Sequence, residues 1–239
     1  MVDQQTFGPP KIANPGEPHL ACVLLLDTSG SMGGAPIESL NKALQNFKEK
    51  LSMDEMAQKR VDVAIVEFNS NASLVQDFTP ISMMQPIELS VTGSTAMSKG
   101  IHMAIDLVKQ RNRFYNELGT PVYKPWIFMI TDGAPDSDDD IESARLRIQE
   151  EETKGTHGKL KFFALGVPGF ERNILIELTR HQGEKPRIME LENFDFAGIF
   201  NWISESMVAI SVSRVGDEVA LPRLPDNAKR IDPKDTTGW

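Results

Sequence analysis

Residues 20–31 read Leu-Ala-Cys-Val-Leu-Leu-Leu-Asp-Thr-Ser-Gly-Ser, and this stretch decides the architecture. Leu20 to Leu26 is continuously apolar and short. That pattern marks a strand covered on both faces, which is characteristic of parallel sheets, where an amphipathic strand would alternate. The run stops at Asp27 and passes into a turn, Asp27-Thr28-Ser29-Gly30-Ser31-Met32-Gly33-Gly34. Beyond it, Pro36 stands where a first helical turn can hold proline. Ile37, Leu40, Leu44, Phe47 and Leu51 then recur at spacings of three and four, the apolar stripe of a helix lying on a sheet.

The same alternation continues outward. Val61 to Phe68 reads as a second strand, and Ser73 to Phe78 as a short third. Met97, Ile101, Ala104, Ile105 and Val108 line one face of a helix, with Ser94 or Thr95 predicted as its N-cap. Trp126 to Ile130 is a buried strand running into a second acidic turn, followed by a helix near 141–151 and a strand at 160–166. A helix at 173–180, a strand at 187–190 and a helix at 194–211 complete the unit. Strands alternating with crossover helices define an α/β fold with a doubly wound, mostly parallel central sheet flanked by helices. In such sheets ligands bind beyond the carboxyl ends of the strands.

We divide the 239 residues into an extended N-terminal arm over 1–18, one domain over 19–212 and a polar C-terminal tail over 213–239. The arm is rich in proline and glycine, and the tail carries Pro222, Pro225 and Pro233 among charges without periodicity. The net charge of -9 and the absence of a basic cluster with interleaved aromatics argue against nucleic acid as a ligand. A single cysteine, Cys22, builds neither an internal disulfide nor a thiolate zinc site, and its place in an apolar strand makes it a small core residue. There is no basic-then-apolar leader and no run of eighteen apolar residues, so neither export nor a membrane span is expected, and a cytoplasmic protein is.

Three segments fall at strand ends or helix starts and are rich in oxygen donors: Asp27 to Ser31, Gly93-Ser94-Thr95, and Thr131-Asp132-Gly133. In an extended turn, positions 27, 29 and 31 face one side, so one carboxylate and two hydroxyls can converge. Thr95 and Asp132 can close on them from neighbouring loops. An all-oxygen set without imidazole or thiolate selects a hard cation, Mg²⁺ first, with Mn²⁺ or Ca²⁺ as alternatives. Because Ser29, Ser31 and Thr95 are neutral, an ion to which one or both aspartates bind through water keeps much of its positive charge and an open position for an anionic group from outside. Asp136, Asp138, Asp139, Asp140 and Glu142 are set aside, since acidic residues at the start of the next helix favour its dipole by about 0.3–1 kcal/mol each.

Asp27-Thr28-Ser29-Gly30-Ser31, with Thr95 and the Asp132 of Thr-Asp-Gly, resembles the metal-ion-dependent adhesion site (MIDAS) of von Willebrand factor A domains over roughly residues 19–212. The resemblance implies a protein-binding module whose cation is completed by an Asp or Glu of a partner. Within the family, the segments Leu24–Met32 and 91–97, and Tyr123-Lys124-Pro125-Trp126 followed by 127–136, are similar to bacterial tellurite-resistance proteins of the TerY-like group. That likeness implies a stress-response component associated with a protein kinase and a metal-dependent, PP2C-like phosphatase. Some relatives carry a cysteine-rich extension, whereas the tail over 213–239 holds no cysteine.

Two other readings compete. Asp27 at a strand end is placed like the nucleophile of a Mg²⁺-dependent phosphotransferase or phosphatase, although Ser29 stands where haloacid-dehalogenase-like enzymes carry a second aspartate. Alternatively the chain is a scaffold phosphorylated by the kinase and dephosphorylated by the phosphatase.

Overall fold

The structure is a computed structural model, and it describes residues 11–153, 160–183 and 186–232. A seven-stranded sheet runs in the order β3-β2-β1-β4-β5-β6-β7. Its strands are β1 (Leu20–Asp27), β2 (Val61–Phe68), β3 (Ala72–Pro80), β4 (Trp126–Thr131), β5 (Lys161–Gly166), β6 (Ile188–Leu191) and β7 (Ala228–Arg230). β1 lies parallel to both β2 and β4, and β4-β5 and β5-β6 are parallel as well. Only the edges, β3 on β2 and β7 on β6, are antiparallel.

All eight residues of β1 are buried, and they divide by parity. Leu20, Cys22, Leu24 and Leu26 face one layer, with α1 (Ala35–Leu51) and α6 (Ala197–Ser211), whose Leu40, Leu44, Phe47, Phe200 and Ile203 pack there. Ala21, Val23 and Leu25 face the other layer, where α3 (Met97–Leu118), α4 (Ile141–Thr153) and α5 (Arg172–Thr179) bring Ile101, Ile105, Val108, Ile148 and Leu178. Each large side chain so enclosed contributes about 1.5–3 kcal/mol relative to exposure. The doubly wound α/β fold expected from the alternation is the fold observed.

Three features lie beyond the sequence reading. α2 (Glu55–Arg60) is a six-residue helix capped by Asp54, whose carboxylate accepts from the Ala57 amide at 2.7 Å. Past residue 212 the described part of the tail is ordered against the domain: the Trp202 indole donates to Pro222 O at 2.9 Å, Val219, Leu221 and Leu224 pack on the α6 layer, and β7 extends the sheet. Residues 11–18 of the arm are likewise tied down. Arg111 donates to Lys11 O at 2.5 Å and Thr120 Oγ1 to Pro15 O at 2.7 Å, while the His19 ring bonds Asn14 O at 3.0 Å. Residues 1–10 and 233–239, and His157, lie outside the described residues.

Candidate metal centre

The parallel strands β1, β2, β4 and β5 all end at one edge of the sheet, and β1 and β4 end on the two aspartate turns. Asp27 is fully buried. Its Oδ1 accepts from the Ser29 amide at 2.9 Å and its Oδ2 from the Thr131 hydroxyl at 2.6 Å. The register explains the second bond: Leu26 pairs with Ile130, so the next residues, Asp27 and Thr131, emerge side by side. Ser29 and Ser31 face the same way, as the extended turn predicts, with their hydroxyls 3.0 Å apart. Ser31 in turn donates to Asp132 Oδ1 at 2.8 Å and stands exposed at the mouth.

Gly133 shows where these groups converge. A Cβ built on it would stand 3.3 Å from Thr95 Oγ1, 3.6 Å from Asp27 Oδ2 and 3.7 Å from Ser31 Oγ. One small space is thus walled by three of the five predicted residues, Asp27 and Ser31 from the turn after β1 and Thr95 from the loop before α3. Ser29 and Asp132 join it through Ser31. All five residues come together, and glycine at 133 keeps their centre open. The donor set is chemically apt for a hard divalent cation, since every inward atom is oxygen.

Burial pushes both carboxyl groups up. For Asp27, removal from water outweighs the bonds from Ser29 and Thr131. For Asp132, burial leads, the Ser31 hydroxyl offsets part of it, and the negative charge of Asp27 raises it further. Two buried carboxyl groups, Asp132 raised further by the charge of Asp27, form a site that a cation relieves. Among the described residues no group of three or more His, Cys, Asp or Glu side chains is placed to hold a metal. The hydroxyls therefore make this centre what it is.

The three loops are braced by residues that the sequence reading placed elsewhere. The predicted cap of α3 by Ser94 or Thr95 is replaced by another arrangement: Ala96 occupies the cap position without a side-chain bond. The Thr95 amide donates instead to Asp136 Oδ1 at 3.1 Å, and the Ser94 hydroxyl to Asp136 Oδ2 at 2.7 Å. The Ser98 amide donates to Asp139 Oδ2 at 2.9 Å, and its hydroxyl also bonds the Asp139 carboxylate. Of the acidic run set aside as belonging to α4, Asp140 does cap that helix, accepting from the Ser143 amide at 3.0 Å. Asp136 and Asp139 belong to the start of α3.

Gly93 has φ +68°, and a Cβ there would collide with Ser70, whose hydroxyl accepts from the Ser94 amide at 2.9 Å. Backbone bonds from Gly30 to Gly93 O and from Thr92 to Thr28 O, at 3.1 and 2.9 Å, lock the first loop to the second. Thr131 lies outside the five predicted residues, yet its hydroxyl donates to Asp27. Its position beside Asp27 at the end of a neighbouring strand was the available signal.

A doubly wound sheet with this oxygen-lined centre at the carboxyl ends of its strands is the architecture of an adhesion-type domain. Residues 22–201 match the von Willebrand factor type A domain, and the chain belongs to that family. A comparison with curated proteins finds no match. Among solved structures, the fold is similar to proximal thread matrix protein 1 from the mussel byssus with a zinc-occupied MIDAS motif: 20% identity, TM-score 0.54, over 82% of this chain and 46% of that one. It is also similar to a von Willebrand factor type A protein from Catenulispora acidiphila, at 15% identity and TM-score 0.60 over 80% and 43% of the two chains. The pilus adhesin SpaC from Lactobacillus rhamnosus GG, in an open conformation, gives 12% identity and TM-score 0.64 over 83% and 31%. This chain spans less than half of each of those three chains, and likeness at such identities is a likeness of fold. Among the described residues no helix is long and apolar enough to cross a membrane.

Proposed function

We propose that this domain is a metal-dependent protein-binding module in which Asp27, Ser29, Ser31, Thr95 and Asp132 hold a divalent cation that an Asp or Glu of a partner protein completes. The observation that carries this reading is the space beside Gly133, with Thr95, Asp27 and Ser31 oxygens around it. With one or both aspartates acting through water, the three neutral hydroxyls leave a bound divalent ion with positive character, and the exposed Ser31 marks the side from which a ligand arrives. Mg²⁺ suits the oxygen set best, with Mn²⁺ and Ca²⁺ as alternatives. A bound cation also supplies local positive charge on a chain whose net charge is -9, which an acidic partner would otherwise avoid.

Phosphoryl transfer through Asp27 is disfavoured, because Ser29 stands where haloacid-dehalogenase-like enzymes carry a second aspartate. The finer assignment to a cytoplasmic, TerY-like component of a tellurite-resistance or stress system rests on the sequence likeness of 24–32, 91–97 and 123–136. It predicts co-purification with a protein kinase and a PP2C-like phosphatase, and a phosphorylated chain when they are co-expressed.

Titration calorimetry with Mg²⁺ and with partners recovered by affinity capture tests the main reading. Mg²⁺ binds the native chain, Asp27→Ala abolishes it, and EDTA releases the partner. Partner binding that survives both EDTA and Asp27→Ala removes the proposal.

A further inference from the structure

Val167-Pro168-Gly169-Phe170 is the turn after β5, and it supplies none of the five predicted ligands. It lies against the residue that carries one of them. The Phe170 amide donates to Val167 O at 3.0 Å, closing a turn with proline second and glycine third. Gly169 has φ +106°, in the positive range that the third position of a type II turn demands. The turn is fastened at both ends. The Val167 amide donates to Thr131 O at 2.9 Å, continuing the pairing of Gly166 with Thr131 on β4. The Phe170 ring rests on Gly166, where a Cβ would collide with it. Between these anchors Gly169 faces Asp132: a Cβ built on Gly169 would stand 3.0 Å from Asp132 O. Glycine lets the two backbones approach this closely.

Asp132 depends on such support more than Asp27 does. Asp27 receives bonds from the Ser29 amide and the Thr131 hydroxyl. Among the described residues the Asp132 carboxylate receives one side-chain bond, from Ser31, which is exposed at the mouth and is itself a predicted ligand. The direction of that carboxylate is therefore set chiefly by the course of its main chain, and the main chain of 131–132 is what the turn holds. Residues that orient a ligand from behind shape a metal site as much as the ligands themselves.

We propose that the turn over 167–170 is a fourth wall of the metal centre, with Gly169 as a positioning residue that holds the Asp132 main chain where its carboxylate meets the cation. The proposal rests on the reading of Asp132 as a ligand. It gives Gly169, outside the ligand set, a direct effect on ion affinity.

Gly169→Ala, compared with Gly216→Ala, tests it. Gly216 has φ +96°, and a Cβ there would meet nothing within 4 Å. Alanine at either position therefore carries backbone strain of the same kind, whereas only alanine at 169 presses on Asp132. The two variants should lose similar amounts of thermal stability. In calorimetry, Mg²⁺ should bind Gly169→Ala about tenfold or more weakly than the native chain, and Gly216→Ala within about twofold of it. If Gly169→Ala does not fold, NMR of the native chain decides: the Gly169 amide resonance moves on Mg²⁺ titration while that of Gly216 stays still. Native Mg²⁺ affinity in Gly169→Ala overturns this proposal alone, as does equal weakening in both alanine variants or a Gly169 amide that stays still at saturation. A native chain that binds no Mg²⁺ overturns the metal reading and this proposal together.

Discussion

Gly133 is the residue at which the smallest change tests the most. Its φ is not in the left-handed region, so alanine suits its backbone, and the added methyl would enter only the space shared by Thr95, Asp27 and Ser31. Because the methyl would stand 3.3 Å from Thr95 Oγ1, a tight approach, Gly133→Ala is expected to cost about 1 kcal/mol of thermal stability and to leave the domain folded. Mg²⁺ affinity in calorimetry should fall by about tenfold or more. Asp27 and Asp132 add a pH signature. Their folded-state pKa values are raised, so the stability they contribute is present below the ordinary aspartate value of about 3.9 and is lost as pH rises through the folded values. Ionising them as pH rises therefore costs the metal-free protein stability. Mg²⁺ at about a hundred times its dissociation constant should add about 2.7 kcal/mol. The thermal shift it produces should be larger at pH 7 than at pH 4; equal shifts at the two values would count against these carboxylates as its ligands.

At the scale of elements, the start of α3 is held from across the site. Asp136 fixes the Thr95 amide and Ser94 hydroxyl, so the second and third ligand loops form one unit. Asp136→Ala should destabilise the domain by about 1 kcal/mol. It should also weaken Mg²⁺ binding severalfold, whereas Asp138→Ala two residues away should do neither; calorimetry and urea melts on the two variants separate them. This bracing also shows what the sequence could express. The buried run of β1, the heptad-like stripes of α1, α3 and α6, and the five site residues were legible because each is a local pattern of residue types. The destination of Asp136 and Asp139 was not, since acidic residues before a helix already have a local explanation and their partners lie about forty positions away. α2 is too short to display a period. β7, Ala-Lys-Arg, has no strand-like alternation and exists because β6 offers it an edge.

Across the whole molecule, the edge of the sheet opposite the metal centre is sealed by a buried polar cluster. Asp62, fully buried on β2, accepts from Arg111 at 3.1 Å and from the Tyr115 hydroxyl, and it bonds the His19 ring at 2.8 Å. Burial alone would raise its pKa, but His19, Arg111 and Tyr115 together outweigh burial and hold the carboxyl below its usual range. Stability from Asp62 is therefore present above about pH 3.9 and lost as pH falls through the lowered value. Asp62→Asn should cost about 3–5 kcal/mol in urea melts at pH 7, because it strands Arg111, and should flatten the loss of stability on acidification. One further consequence follows from β1, whose eight residues pair with β2 on one side while five pair with β4 on the other. The ligand turn continues directly from this central strand. Tension from a partner gripping that turn runs along the strand axis and loads both parallel ladders in shear, many bonds at once. A pull applied at that turn would have to break these ladders together before the sheet could peel open.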